Sequence, residues 1–118
     1  MKRTKIIFAI LSVLLVGFTA LYLLHYSQID KVKTASASLE KIRTALEKYR
    51  FKYNQYPQSL SKLADDKLVR EEEIRDPWGN DYNYIPCTST DKGITDYMLY
   101  CNGRDGKPWT RDDVQIKK

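Results

Sequence analysis

Histidine, cysteine and concentrated charge are scarce in this chain, and each shortage closes off a class of chemistry. One histidine occurs in 118 residues. It is His25, directly after an apolar run, where it reads as an interfacial residue beside Tyr22 and Tyr26. No Ser-His or Cys-His pair is therefore available for nucleophilic catalysis. The two cysteines, Cys87 and Cys101, are too few to build a metal site alone. No carboxylate lies between Ile6 and Leu24, and no Pro or Gly lies between Phe18 and Gln55. Asp112 and Asp113 are neighbours in a turn rather than a pair across a cleft, which argues against carboxylate hydrolysis and against an enzyme. Internal repeats and low-complexity tracts are also absent. The net charge of +5 does not mark a nucleic-acid protein: without Lys2, Arg3 and Lys5, 17 basic and 15 acidic residues remain, leaving +2. That excess is dispersed, with Lys117 and Lys118 at the end, so no concentrated basic face is expected.

What is present begins with Ile6 to Leu24, IIFAILSVLLVGFTALYLL. As a helix it is roughly 28 Å long, about one hydrocarbon core. Lys2, Arg3 and Lys5 precede it, so the positive-inside rule puts the N-terminus in the cytoplasm and the rest outside. Tyr22 to Tyr26 is poor for signal cleavage, and Ala35-Ser36-Ala37 lies too far downstream, so a retained anchor is expected. Outside the cytoplasm, Cys87 and Cys101 are expected to be bridged, the alternative being two unrelated buried thiols.

From Ile29 to Tyr56, apolar or aromatic residues recur at Val32, Ala35, Leu39, Ile42, Leu46, Tyr49, Tyr53 and Tyr56. Steps of three and four mark a helix stripe. Anchor and stripe together predict one helix of about 50 residues, roughly 70 Å long. It ends at Asn54-Gln55-Tyr56-Pro57, because the residue before proline disfavours helix. The stripe reads either as a coiled-coil seam between chains or as the face on which the rest of this chain packs. The second is favoured, since the chain after Pro57 needs a surface to bury against. Gln58 to Val69 predicts a short helix capped by Ser59 or Ser61, and Arg70 to Arg75 a solvated stretch. Asp76-Pro77-Trp78-Gly79-Asn80 predicts a turn. Strands are expected over Asp81 to Cys87 and Thr95 to Cys101, with a polar loop from Thr88 to Ile94 between them. A Cys87–Cys101 bridge would pin the open end of that hairpin. A final edge strand is expected at Val114-Gln115-Ile116. The fold class is α+β: a transmembrane helix continuing into an amphipathic helix packed on a small antiparallel sheet.

The stretch from Leu99 to Val114 looks most like a site. It has a Gly-rich turn at Gly103 and Gly106, three carboxylates and Cys101. A compact loop of this kind can supply the six to eight oxygens that calcium takes. The alternative is a solvated acidic turn closing the sheet.

Three motifs, covering Lys41 to Val114, carry a resemblance. Asn54-Gln55-Tyr56-Pro57 with Leu60 and Leu63 is similar to xxxYPxxLxxL. Asp76 to Tyr84 is similar to DPWGNxYxY. Asp105-Gly106-Lys107-Pro108, then Thr110, Asp112, Asp113 and Val114, is similar to DGxPGTxDDI. Together they resemble the major, G-type pseudopilins of type II secretion, which are type IV pilin-like. The resemblance implies a non-enzymatic structural component of a secretion or pilus-like machine. It implies calcium held by the Asp105, Asp112 and Asp113 side chains, completed by backbone carbonyls around Leu99 to Asn102. It implies partners among other pseudopilin-like or secretion subunits through the long helix, a homo-oligomer among them. It also implies a bacterial inner-membrane protein with a periplasmic head. The implied organisation is a basic terminus at 1–5, an anchor at 6–24, an amphipathic helix at 25–56 and a head at 57–118. Two departures stand out. Trp109 occupies a position usually held by a small residue, often Gly. The family's Gly cleavage point followed by Phe-Thr-Leu-Ile-Glu is here Gly17-Phe18-Thr19-Ala20-Leu21, deep in the run, with Tyr22 at the fifth position. A second reading follows from that departure: a membrane-anchored accessory subunit with a pseudopilin-type head that does not polymerise.

Overall fold

The computed structural model of the chain describes residues 1–89 and 93–115. Residues 90–92 of the expected loop, and Ile116 of the expected last strand, lie outside the described residues. The chain divides into two compact units, Met1–Asp30 and Lys31–Lys118. Helix α1, Lys2–Tyr53, contributes to both.

In Met1–Asp30 the apolar side chains are exposed throughout. The hydroxyls of Thr4, Ser12, Thr19 and Ser27 each donate to the carbonyl three residues earlier, at 2.8, 2.8, 2.9 and 3.0 Å. These polar groups are thus satisfied inside the helix, as hydrocarbon surroundings require. By length and composition α1 is long and apolar enough to cross a membrane.

In Lys31–Lys118 the stripe does what its period implies. Ala35, Leu39, Ile42 and Leu46 are buried, joined by Ala45. They form one core with Tyr56, Leu60, Leu63, Val69, Tyr82, Ile94, Tyr97 and Cys101. Val32 and Tyr53 on the same stripe are more open, 41% and 42% exposed, whereas Tyr56 at its end is buried. The helix stops three residues before Tyr56. Asn54 takes a left-handed φ of 58° while its N–H still bonds Arg50 carbonyl at 2.7 Å. Asparagine tolerates that conformation at a helix end. Tyr56 has by then turned away, and its N–H donates to Ile94 carbonyl at 3.0 Å.

The second helix is much shorter than its pattern suggests. Helix α2 is Ser61–Asp65. Ser59 and Ser61 hydroxyls bond each other at 2.7 Å, and no side chain caps the helix. At the other end Leu68 N–H reaches Leu63 carbonyl and Lys67 N–H reaches Ala64 carbonyl, with Lys67 at φ 56°. That is a Schellman stop, made here by a lysine where glycine is usual. The charged stretch that follows forms a 3-10 turn, Glu71–Ile74. Glu73 accepts Arg70 N–H at 2.9 Å and the Arg70 guanidinium at 3.2 Å, which pulls its pKa down to about 2.

Three antiparallel strands follow: β1 Asn83–Ser89, β2 Gly93–Cys101 and β3 Val114–Gln115, in the order β1-β2-β3. The hairpin is longer towards its turn than expected, since Thr88 and Ser89 pair with Ile94 and Gly93 across a bulge after Cys87. Asp81 is not in β1 but bridges Arg75 across the preceding turn. Tyr82 and Tyr84 pack inward while Ile85 and Cys87 are exposed, as alternation requires.

The register corrects one expectation. Cys87 faces Asp96, whereas Cys101 faces Val114 on its other side. Because Asn83 faces Tyr100, the β1 position level with Cys101 is Tyr82. Cys87 is five residues further along, roughly 16 Å at strand rise. A disulfide needs Cα atoms within about 7 Å. Both cysteines are free thiols, Cys87 exposed and Cys101 buried.

Candidate metal centre

The loop between β2 and β3 is built on left-handed backbone. Gly103, Gly106 and Trp109 have φ of 66°, 65° and 68°. At Gly103 the reason is close approach: a Cβ would stand 2.7 Å from both the carbonyl carbon and Oδ2 of Asp112. Trp109 adopts the conformation that favours glycine. Its indole does not enter the loop. It stacks on Tyr100, with ring centroids 5.5 Å apart, and stays 67% exposed.

These turns gather the three expected carboxylates around one hydroxyl. Thr110 Oγ1 lies 2.7 Å from Asp112 Oδ1, 3.1 Å from Asp113 Oδ1 and 3.3 Å from Asp105 Oδ1. Lys107 carbonyl is a fourth oxygen, at 3.2 Å. The remaining contacts come from main-chain donors. Asp105 N–H donates to Asp112 Oδ2 at 3.0 Å, Lys107 N–H to Asp105 Oδ1 at 2.8 Å and Trp109 N–H to Asp113 Oδ2 at 2.7 Å. The Thr110 hydroxyl and Asp105 N–H hold the Asp112 carboxyl below the usual carboxylate range.

A hydroxyl has one proton, so Thr110 can satisfy one of four surrounding acceptors. The cluster gathers carboxylate, hydroxyl and carbonyl oxygens, the donor set that suits calcium, although Arg104, Lys107 and Arg111 lie in the same loop. The residues therefore fit the ion in chemistry. Among the described residues, no group of three or more His, Cys, Asp or Glu side chains is arranged so that it could hold a metal ion. The other two expected donors are the backbone carbonyls of Leu99 and Asn102. Leu99 sits in β2 opposite Tyr84. Asn102 uses its side chain to accept from Asn83 Nδ2 at 2.7 Å and to donate to Gly106 carbonyl at 3.2 Å.

The 76–80 turn is bound to this loop through the second cysteine. Asp76 is 6% exposed, and its Oδ1 accepts the N–H groups of Trp78 and Asn80 at 2.9 and 2.8 Å. Its Oδ2 accepts the Cys101 thiol at 3.1 Å. Burial pushes that thiol up to about 12, so it remains a donor. Neither Thr110 nor the Asp76–Cys101 pair is singled out by sequence reasoning. A hydroxyl two and three residues before paired aspartates was the available signal for the first.

The model of the type II secretion system protein G family matches residues 23–118. No curated protein and no solved structure matches the chain. The match covers the core, both turn motifs and the carboxylate loop, and begins inside the apolar run. Its coverage settles the family: the chain belongs to the type II secretion system protein G family, the major pseudopilins.

Proposed function

We propose that this protein is a structural, non-enzymatic subunit of a type II secretion or related pilus-like machine, anchored in the bacterial inner membrane, with calcium clasping its periplasmic head. The observation that carries the calcium reading is the convergence of Asp105, Asp112 and Asp113 on the Thr110 hydroxyl. Those three side chains would hold the ion, with Leu99 and Asn102 carbonyls as further oxygen donors. Calcium would neutralise charge that one hydroxyl proton cannot, and would act as folding energy for the loop. Orientation follows from Lys2, Arg3 and Lys5 before an uncharged run. The working divisions are a basic terminus at 1–5, the anchor at 6–24, the amphipathic helix at 25–56 and the head at 57–118.

A second reading has its own support. The family match leaves residues 1–22 outside it, and the run Ile6 to Leu24 has no carboxylate. Both features suit an anchored accessory subunit that does not polymerise. Crosslinking in native membranes followed by mass spectrometry separates the two. Ladders of self-products, or of pseudopilin-like partners, support an assembling subunit. One constant heterologous partner supports the accessory reading, and a chain that crosslinks to nothing overturns both.

A further inference from the structure

The buried thiol of Cys101 has no place in the calcium reading, yet it stands between the 76–80 turn and the carboxylate loop. Its contacts form a continuous path. The thiol donates to Asp76 Oδ2 at 3.1 Å, and the sulfur accepts Gly103 N–H at 3.4 Å. Gly103 lies against the backbone of Asp112 so closely that no Cβ fits between them. Asp112 in turn holds Asp105 through the main-chain N–H of Asp105. The first link joins the end of β2 to the 76–80 turn, the others run from Cys101 into the carboxylate loop, and the first two are buried.

We propose that Cys101 is a positioning residue: by bonding Asp76 on one side and Gly103 on the other, it sets the carboxylate loop on the 76–80 turn and so holds Asp112 and Asp105 in their converged arrangement. The inference rests on the calcium reading for its most direct readout. A serine at this position keeps a donor and an acceptor. A valine keeps the volume and leaves Asp76 Oδ2 and Gly103 N–H without their partner. An orphaned buried acceptor costs enough to weaken a coupled binding step about tenfold or more.

The test is calorimetric titration of calcium chloride into the full chain in detergent, wild type against Cys101→Ser and Cys101→Val, with circular dichroism reporting the fold. The expected result is that Cys101→Ser binds within about threefold of wild type, while folded Cys101→Val binds about tenfold or more weakly. A folded Cys101→Val that binds like wild type overturns the proposal. If Cys101→Val does not fold, Cys101→Ala takes its place, with the same loss expected and the same overturning result. If the wild type itself gives no calcium heat, the calcium reading fails and the positioning role is read from melting temperatures alone. Cys101→Val and Asp112→Asn are then expected to be non-additive, and additive shifts overturn the role.

Discussion

Replacing Gly103 with alanine should disable the loop without touching a carboxylate. Two costs are visible. The residue sits at φ 66°, where an L side chain costs about 1–2 kcal/mol. The new methyl would also stand 2.7 Å from Asp112 Oδ2 and from the Asp112 carbonyl carbon, well inside contact distance. That neighbour is largely main chain, so relief requires the loop to move, at a further cost of roughly 1–3 kcal/mol. The total is about 2–5 kcal/mol. For a domain of 60–100 residues each kcal/mol shifts the melting temperature by about 4–8 °C, so a fall of about 10 °C or more is expected. Thermal melts of wild type and Gly103→Ala in detergent, followed at a far-ultraviolet wavelength, measure it. Gly17→Ala is the control, because a Cβ there meets nothing within 4 Å. A Gly103→Ala melt within about 2 °C of wild type would refute both the close approach and its use in placing Asp112.

The thiols and the tyrosines supply further expectations. Under native, non-reducing conditions a thiol reagent should label Cys87 and spare Cys101, with both labelled after unfolding; mass spectrometry of a Cys87–Cys101 disulfide would contradict the register. Burial raises the phenols of Tyr82 and Tyr97 to about 12 from an ordinary value of 10.0. The folded state thus keeps these protons longer than the unfolded chain, so their contribution is complete below pH 10 and is lost as the pH rises towards about 12. Alkaline titration should show a late-ionising fraction of the nine tyrosines whose ionisation accompanies unfolding in that window, whereas all nine ionising near pH 10 with the fold intact would contradict the packing.

How much of this was legible in the chain depends on which signals are local. The long helix was readable because its stripe repeats over seven turns and nothing interrupts it. Its last turn was not, because Tyr56 is claimed by Ile94, a partner nearly forty residues away. The 76–80 turn was readable from proline and glycine at fixed offsets. The brevity of α2 was not, since Lys67 stops it in a conformation that lysine does not advertise. The disulfide expectation failed on geometry: cysteine count and compartment favour a bridge, but strand register decides reach, and it places Cys87 and Cys101 at opposite ends of the hairpin. At the candidate site all three aspartates were identified from the motif, whereas the hydroxyl on which they converge only emerges once the loop is folded. Trp109 stands where the resemblance implies a small residue; its backbone is left-handed and its ring packs on Tyr100.

Calcium is proposed to clasp the loop from Asp105 to Asp113. The most direct measurement is the melting temperature of the full chain in detergent, with saturating calcium and with chelator. At calcium one hundred times its dissociation constant, binding to the folded state alone contributes about 2.7 kcal/mol. A rise of about 10–20 °C over the chelated protein is expected, lost in Asp112→Asn. Superimposable curves with and without calcium would contradict it.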